Sequence, residues 1–271
     1  MAKSDFRKAL RVKPGDRVDL SKLDPGDSHG WEKAAGEQEI AAQLARLGDL
    51  QDRLWAEAKH AVLIVLQGID AAGKDGTIQK VMEAFNPQGC TVSAFKVPTP
   101  EELAHDFLWR VHKRVPGKGE IGIFNRSHYE DVLVVRVHEL VPETAWRPRY
   151  EQIREFERLL TETGTAIVKF FLYIGREEQR QRFQERYENP KKRWKFSLGD
   201  LDERKKWDDY IAAYEDALSE TSTDHAPWYV IPANRNWLRN LAVASILAET
   251  IEELKPVYPP EPDLPPDLVI E

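Results

Sequence analysis

A chain of 271 residues is long enough for one large α/β domain with a substantial core. With 41% hydrophobic and 31% charged residues it has no apolar run near the ~20 residues of a membrane span, and its net charge of −7 argues against general nucleic-acid binding. Cys90 is the single cysteine, which excludes an internal disulfide and a cysteine-cluster metal site, and no apolar segment with a cleavage site opens the chain, so a cytoplasmic protein is expected.

Residues 1–30 mix Pro, Gly, Asp and Lys without periodicity and read as an extended N-terminal arm. From Trp31 to Lys59, the positions Ile40, Leu44, Leu47, Leu50, Leu54 and Trp55 share one helical face, which predicts a helix that buries it. AVLIVLQ from Ala61 is a continuous apolar run that ends at a glycine, the pattern of a central parallel strand. Similar runs start at Thr91, Glu120, Thr165 and Trp228, so five strands are expected. Between them RYEQIREFERLL from Arg149 keeps helical spacing until Gly164. This alternation predicts an α/β fold, a five-stranded parallel sheet with helices on both faces, over residues 31–255. Residues 256–271 form a proline-rich, acidic C-terminal tail.

QGIDAAGKDGT, from Gln67 to Thr77, follows the first strand and opens a helix. Gly68, Gly73 and Lys74 have the spacing at which loop N–H groups wrap a phosphate while a lysine neutralises it, so Gly68, Ala71, Ala72, Gly73, Lys74, Asp75 and Gly76 are expected around phosphate. The usual Ser or Thr after the lysine is Asp75, and a second carboxylate, Asp70, lies inside the loop. Asp70 either caps its own turn or ligates a cation; repulsion between a carboxylate and a bound anion favours a magnesium ion, or manganese in its place, between them.

The third strand leads into FNRSHYEDVLVVRVHEL, which places Asn125, Arg126, Glu130, Asp131 and Arg136 near the carboxyl edge of the sheet, where doubly wound folds bind ligands. Arg126 suits bidentate contact with phosphate or an ion pair with Glu130 or Asp131. His128 has no partner at metal spacing and reads as structural. From Lys169 to Lys206 there are twelve Lys or Arg against seven Asp or Glu, a local anion site in an acidic chain. Within it Arg182, Arg186, Lys192 and Lys195 belong to a helical lid at about 178–200 that closes over a polyanion, or to a solvated amphipathic helix.

Taken together, GIDAAGKDGT, FKVPTPEEL, FNRSHYEDV, RVHEL and ENPKKRWKFSLGD in this order resemble the polyphosphate kinase 2 family, over nearly all of the chain from about Trp31 to Pro256. The resemblance implies a P-loop kinase fold and a phosphotransferase that moves the terminal phosphoryl group of inorganic polyphosphate reversibly to AMP or ADP, giving ADP and ATP. It places Asp70, Lys74 and Arg126 on active-site positions and Lys96 and Thr99 beside the acceptor nucleotide. Asn125, where the family often has Asp, and Glu130 look like the subgroup that accepts both nucleotides. It also suggests a homodimer or homotetramer. An ATP-dependent nucleoside monophosphate kinase would share the loop, and a non-catalytic nucleotide-binding regulator would bind without turnover.

Overall fold

The apolar runs pair into one sheet in the computed structural model, which describes residues 5–263. β1 is Ala61–Gln67, β2 Cys90–Ala94, β3 Ile121–Asn125, β4 Thr165–Tyr173 and β5 Trp228–Pro232. All neighbouring pairs are parallel, in the order β2-β3-β1-β4-β5. Parallel pairing needs a crossover between strands, and helices supply it: α1 is Lys33–Glu57, α2 Lys74–Val81, α3 Arg149–Glu162, α4 Arg176–Glu188, α5 Leu198–Lys205, α6 Trp207–Thr221 and α7 Asn236–Glu253.

Helices cover both faces, so β1 is buried along its whole length. Val62, Ile64 and Leu66 pack with residues of α1, α2 and α7, whereas Leu63 and Val65 pack with residues of α3 and α6. This alternation within an unbroken apolar run is the signature of a strand with a core on either side. Gly164 ends the α3 segment at φ +100°, a conformation glycine adopts without penalty.

Three details differ from the expectation. β2 stops at Ala94 rather than running to Val97: it is the edge strand, Val97 is 89% exposed, and Pro98 offers no N–H to a ladder. Trp55, assigned to the buried face of the first helix, is 47% exposed at its margin and packs against Gly89. The segment read as an extended arm carries a helical turn at Phe6–Ala9 and buries Phe6, Leu10, Val12 and Leu20. Val12 N–H donates to Trp228 O and Val230 N–H to Leu10 O, which covers the free edge of β5. Four apolar residues at irregular spacing give no periodic signal, so this docking is invisible until β5 is in place. Residues 264–271 of the proline-rich tail lie outside the described residues.

Cys90 is half-buried in β2, and burial pushes its thiol up to about 11, which leaves it protonated and unreactive near neutral pH. Among the described residues, no helix is long and apolar enough to cross a membrane.

Candidate active site

β1 delivers the chain into the glycine loop at the carboxyl edge of the sheet, and backbone crowding sets the loop's sequence. A Cβ on Gly68 would lie 2.9 Å from both Leu172 O and the Ala72 methyl. Gly73 adopts φ +104°, and a Cβ there would run into the Arg239 guanidinium. Lys74 then opens α2, and its Nζ folds back to donate to Gly68 O at 2.6 Å. Burial lowers the pKa of this ammonium, with the Asp70 carboxylate opposing the shift. A desolvated cation folded back into a glycine loop at the start of a helix suits an anion.

β3 brings the second group of residues to the same edge. Arg126, the residue after the strand, has a left-handed backbone at φ +61°, fixed by its N–H donating to Leu66 O at 3.1 Å. Its guanidinium donates to Asp70 Oδ1 at 2.8 Å and lies 3.5 Å from Glu130. Burial raises the Glu130 carboxyl, while Arg126 and Lys74 pull it back. Asn125 Nδ2 donates to Asp75 Oδ1 at 3.0 Å, and Lys195, from the lid segment, lies 3.6 Å from the same carboxylate. The structure thus brings Asp70, Arg126 and Glu130 together in one crevice with Lys74 bonded to its Gly68 wall, and Asp75, Asn125 and Lys195 meet in a second polar cluster beside it. Tyr210 and Tyr214 of α6 close the far wall of the crevice.

Other residues read from the sequence have different occupations. Arg136 donates to Asp216 at 2.7 Å and lies over the Trp146 ring, between helices. Asp131 pairs with Arg149 at 2.8 Å, and burial pushes its carboxyl up to about 6 against the pull of Arg149. Thr99 caps the helical turn Pro100–Leu103 in a reciprocal box with Glu102. The Lys96 side chain is exposed, and its carbonyl accepts from Arg110 at 2.7 Å. Arg186 sits over Phe183, and Lys192 is exposed on the lid segment. Arg182 pairs through Nε with Glu178 at 2.7 Å and spends its other donors on backbone: Nη1 on Ala71 O and Ala72 O at 2.9 and 3.2 Å, Nη2 on Ala233 O and Asn234 O at 2.6 and 3.0 Å. It clamps the phosphate loop to the end of β5.

The sequence reading missed three supports of the loop. Gln179 donates to Asp70 O at 2.9 Å, Gln67 donates to Ser127 Oγ at 3.0 Å, and Arg239 packs behind Gly73. Each is a single polar residue on a helix or strand, and only the tertiary neighbour tells it from a surface residue.

Directly after Arg126, the chain is bolted to a buried polar network. Glu157 of α3 and Lys169 of β4 have fully buried side chains and pair at 2.5 Å. Tyr129 OH donates to Glu157 Oε1 at 2.8 Å, and Lys169 Nζ also donates to Thr221 O at 2.8 Å. His128 Nε2 lies 3.2 Å from Glu157 Oε1. A carboxylate only accepts, so this nitrogen carries the proton, and burial keeps the ring neutral by lowering its pKa.

Among the described residues, no cluster of three or more His, Cys, Asp or Glu side chains is placed to hold a metal ion. Asp70, a single partly exposed carboxylate beside a phosphate loop, suits a hard cation that keeps most of its waters and takes its other ligands from bound phosphates.

Comparison with known proteins identifies relatives over nearly the whole chain. The family described as polyphosphate kinase 2 matches residues 30–258. The chain is 56% identical over 266 residues to an AMP/ADP-polyphosphate phosphotransferase of Meiothermus ruber, which covers 97% of this chain and 100% of that one. It is 48% identical to an ADP-polyphosphate phosphotransferase of Rhodopseudomonas palustris, over 93% of this chain and 92% of that one. The crystal structure of polyphosphate kinase 2 from Arthrobacter aurescens superposes with a TM-score of 0.92 at 43% identity, over 98% of this chain and 96% of that one.

Proposed function

This chain belongs to the polyphosphate kinase 2 family, and on that premise we propose that it transfers the terminal phosphoryl group of inorganic polyphosphate to AMP or ADP. One observation carries the reading beyond family membership: a desolvated lysine in a glycine loop shares its crevice with an Asp70–Arg126 pair, which suits two anions meeting head to head.

In the transfer, an oxygen of the acceptor's terminal phosphate attacks the terminal phosphorus of the polyphosphate. A new P–O bond forms as the bridging P–O bond breaks, and the shortened polyphosphate leaves with the bridging oxygen. The attacking oxygen is already ionised at neutral pH, so no general base is required, and positioning with charge neutralisation supplies the rate. Lys74 holds the transferring group against the loop amides. Arg126 swings its guanidinium from Asp70 onto the equatorial oxygens. Asp70, once released from Arg126, would hold a magnesium ion, which would supply neutralisation of phosphate charge. The buried, neutral His128 takes no part in the chemistry.

Asp70→Asn keeps the shape and removes the charge. It is expected to lower kcat by roughly 10²-fold and to raise the magnesium concentration needed for half-maximal rate. A magnesium dependence identical to wild type would sink the assignment of Asp70.

The function itself is tested by incubating the protein with magnesium and long-chain polyphosphate as the sole donor, with AMP in one reaction and ADP in another. ADP and ATP formation is expected. Turnover with ATP as donor and none with polyphosphate would overturn the reading.

A further inference from the structure

The first turns of α7 lie under the phosphate loop, and Arg239 within them is 3% exposed. Its hydrogen bonds all go to side-chain amides: Nη1 to Asn236 Oδ1 at 2.7 Å, Nε and Nη2 to Asn240 Oδ1 at 3.1 and 2.9 Å. Among the described residues no carboxylate pairs with it, and the charge that bears on it is a second cation, Arg182. Both guanidiniums flank the loop backbone. A Cβ on Gly73 would run into Arg239 Nη1 and lie 3.6 Å from Arg182 Nη1, and a Cβ on Gly76 would lie 3.2 Å from Arg239 Nη2.

A buried cation is costly unless an anion compensates it, and a like charge beside it raises the cost. The buried Lys169 has Glu157, and the half-buried Arg126 has Asp70. Among the described residues Arg239 has no such partner; it packs against the backbone of the glycine loop, whose amides would hold phosphate in the proposed function. We propose that the counter-charge of Arg239 is the polyphosphate itself: Arg239 holds the Gly73–Gly76 backbone in place and projects its charge through that backbone onto the donor chain. Arg239 is thereby a donor-selective positioning residue. It approaches the loop from the β4–β5 side, with Arg182 bound to Ala233 O, whereas Lys96, Thr99 and Asp131 lie on the β2–β3 side. This inference rests on the reading that polyphosphate is the donor at this loop.

The electrostatic account makes a prediction that an ordinary packing role does not share. Arg239→Met should remove an uncompensated buried charge, so the substrate-free variant melts no lower than wild type, while its KM for polyphosphate rises about tenfold and its KM for AMP or ADP stays within twofold. Arg239→Lys keeps the charge and should restore most of the polyphosphate KM. The upward shift in melting temperature that polyphosphate gives the wild type should largely vanish in Arg239→Met. A polyphosphate KM within twofold of wild type, or an equal rise in both KM values, overturns the proposal. Should Arg239→Met fail to fold, the arginine side-chain NMR spectrum of the wild type decides. The Arg239 Nε resonance should move on addition of tripolyphosphate and not of AMP, and a resonance indifferent to tripolyphosphate overturns the proposal. Wild type that neither uses polyphosphate nor is stabilised by it removes the functional reading itself. An active wild type with an unaffected Arg239→Met removes only the role of Arg239.

Discussion

Lys74→Ala is expected to yield a folded protein whose kcat/KM for polyphosphate-dependent nucleotide formation is lower by about 10³-fold. The argument rests on how little else the side chain does. Among the described residues its one hydrogen bond goes to Gly68 O and it has no ion pair, and burial lowers its pKa against the pull of Asp70, so the charged form is held at a cost that a bound anion would repay. Removing it relieves that cost and leaves the loop to its remaining braces, Arg182 on Ala71 and Ala72 and Gln179 on Asp70. Thermal melting of the variant should therefore match wild type within a few degrees while steady-state turnover collapses. Activity above a tenth of wild type would show that the lysine is not the charge that holds the transferring group.

The parts of this design that could be read in the sequence are those carried by local pattern. An unbroken apolar run such as AVLIVLQ announces a strand covered on both faces, and a glycine loop between that strand and a helix announces phosphate, because backbone N–H groups do the binding. Position after a strand was enough to bring Arg126 and Glu130 to the loop. Pattern fails where partner choice is tertiary. Arg136 and Asp131 sit on the same short stretch as Arg126, yet each found an opposite charge on a neighbouring helix, at Asp216 and Arg149. Arg182 lies in a segment rich in basic residues, but it faces loop carbonyls. Arg239 gives no local signal, since one arginine near a helix start is ordinary; its burial without an acid emerges only once α7 is packed beneath the loop.

A second large effect concerns stability. Glu157→Ala is expected to cost about 3–5 kcal/mol, because it leaves Lys169 as an unpaired charge in the core and takes the acceptor from Tyr129 and His128. In a domain of this size that corresponds to a fall of roughly 10 °C in Tm. The pH dependence has a definite sign. Burial alone would raise the Glu157 carboxyl, but Lys169 and His128 outweigh it and hold the group below its ordinary value. Its contribution is therefore present in full above pH 4.5 and fades as pH falls further, so the gap between wild type and Glu157→Ala should close in acid. His128 works over a higher window. Its pKa is lowered by burial, so the neutral ring stabilises the fold above pH 6.5 and progressively less below it, and His128→Asn should flatten that slope. The orphaned-charge account is checked by the double variant Glu157→Leu with Lys169→Met, which removes both charges and should be more stable than Glu157→Ala alone. A double variant less stable than the single one would mean that the pair contributes attraction beyond mutual neutralisation. Ser127, His128 and Tyr129 follow Arg126 directly in the chain, so a loosened network also loosens the left-handed turn that aims Arg126. Glu157→Ala assayed well below its Tm should accordingly show a reduced kcat, whereas in an Arg126→Ala background the same substitution should change stability alone.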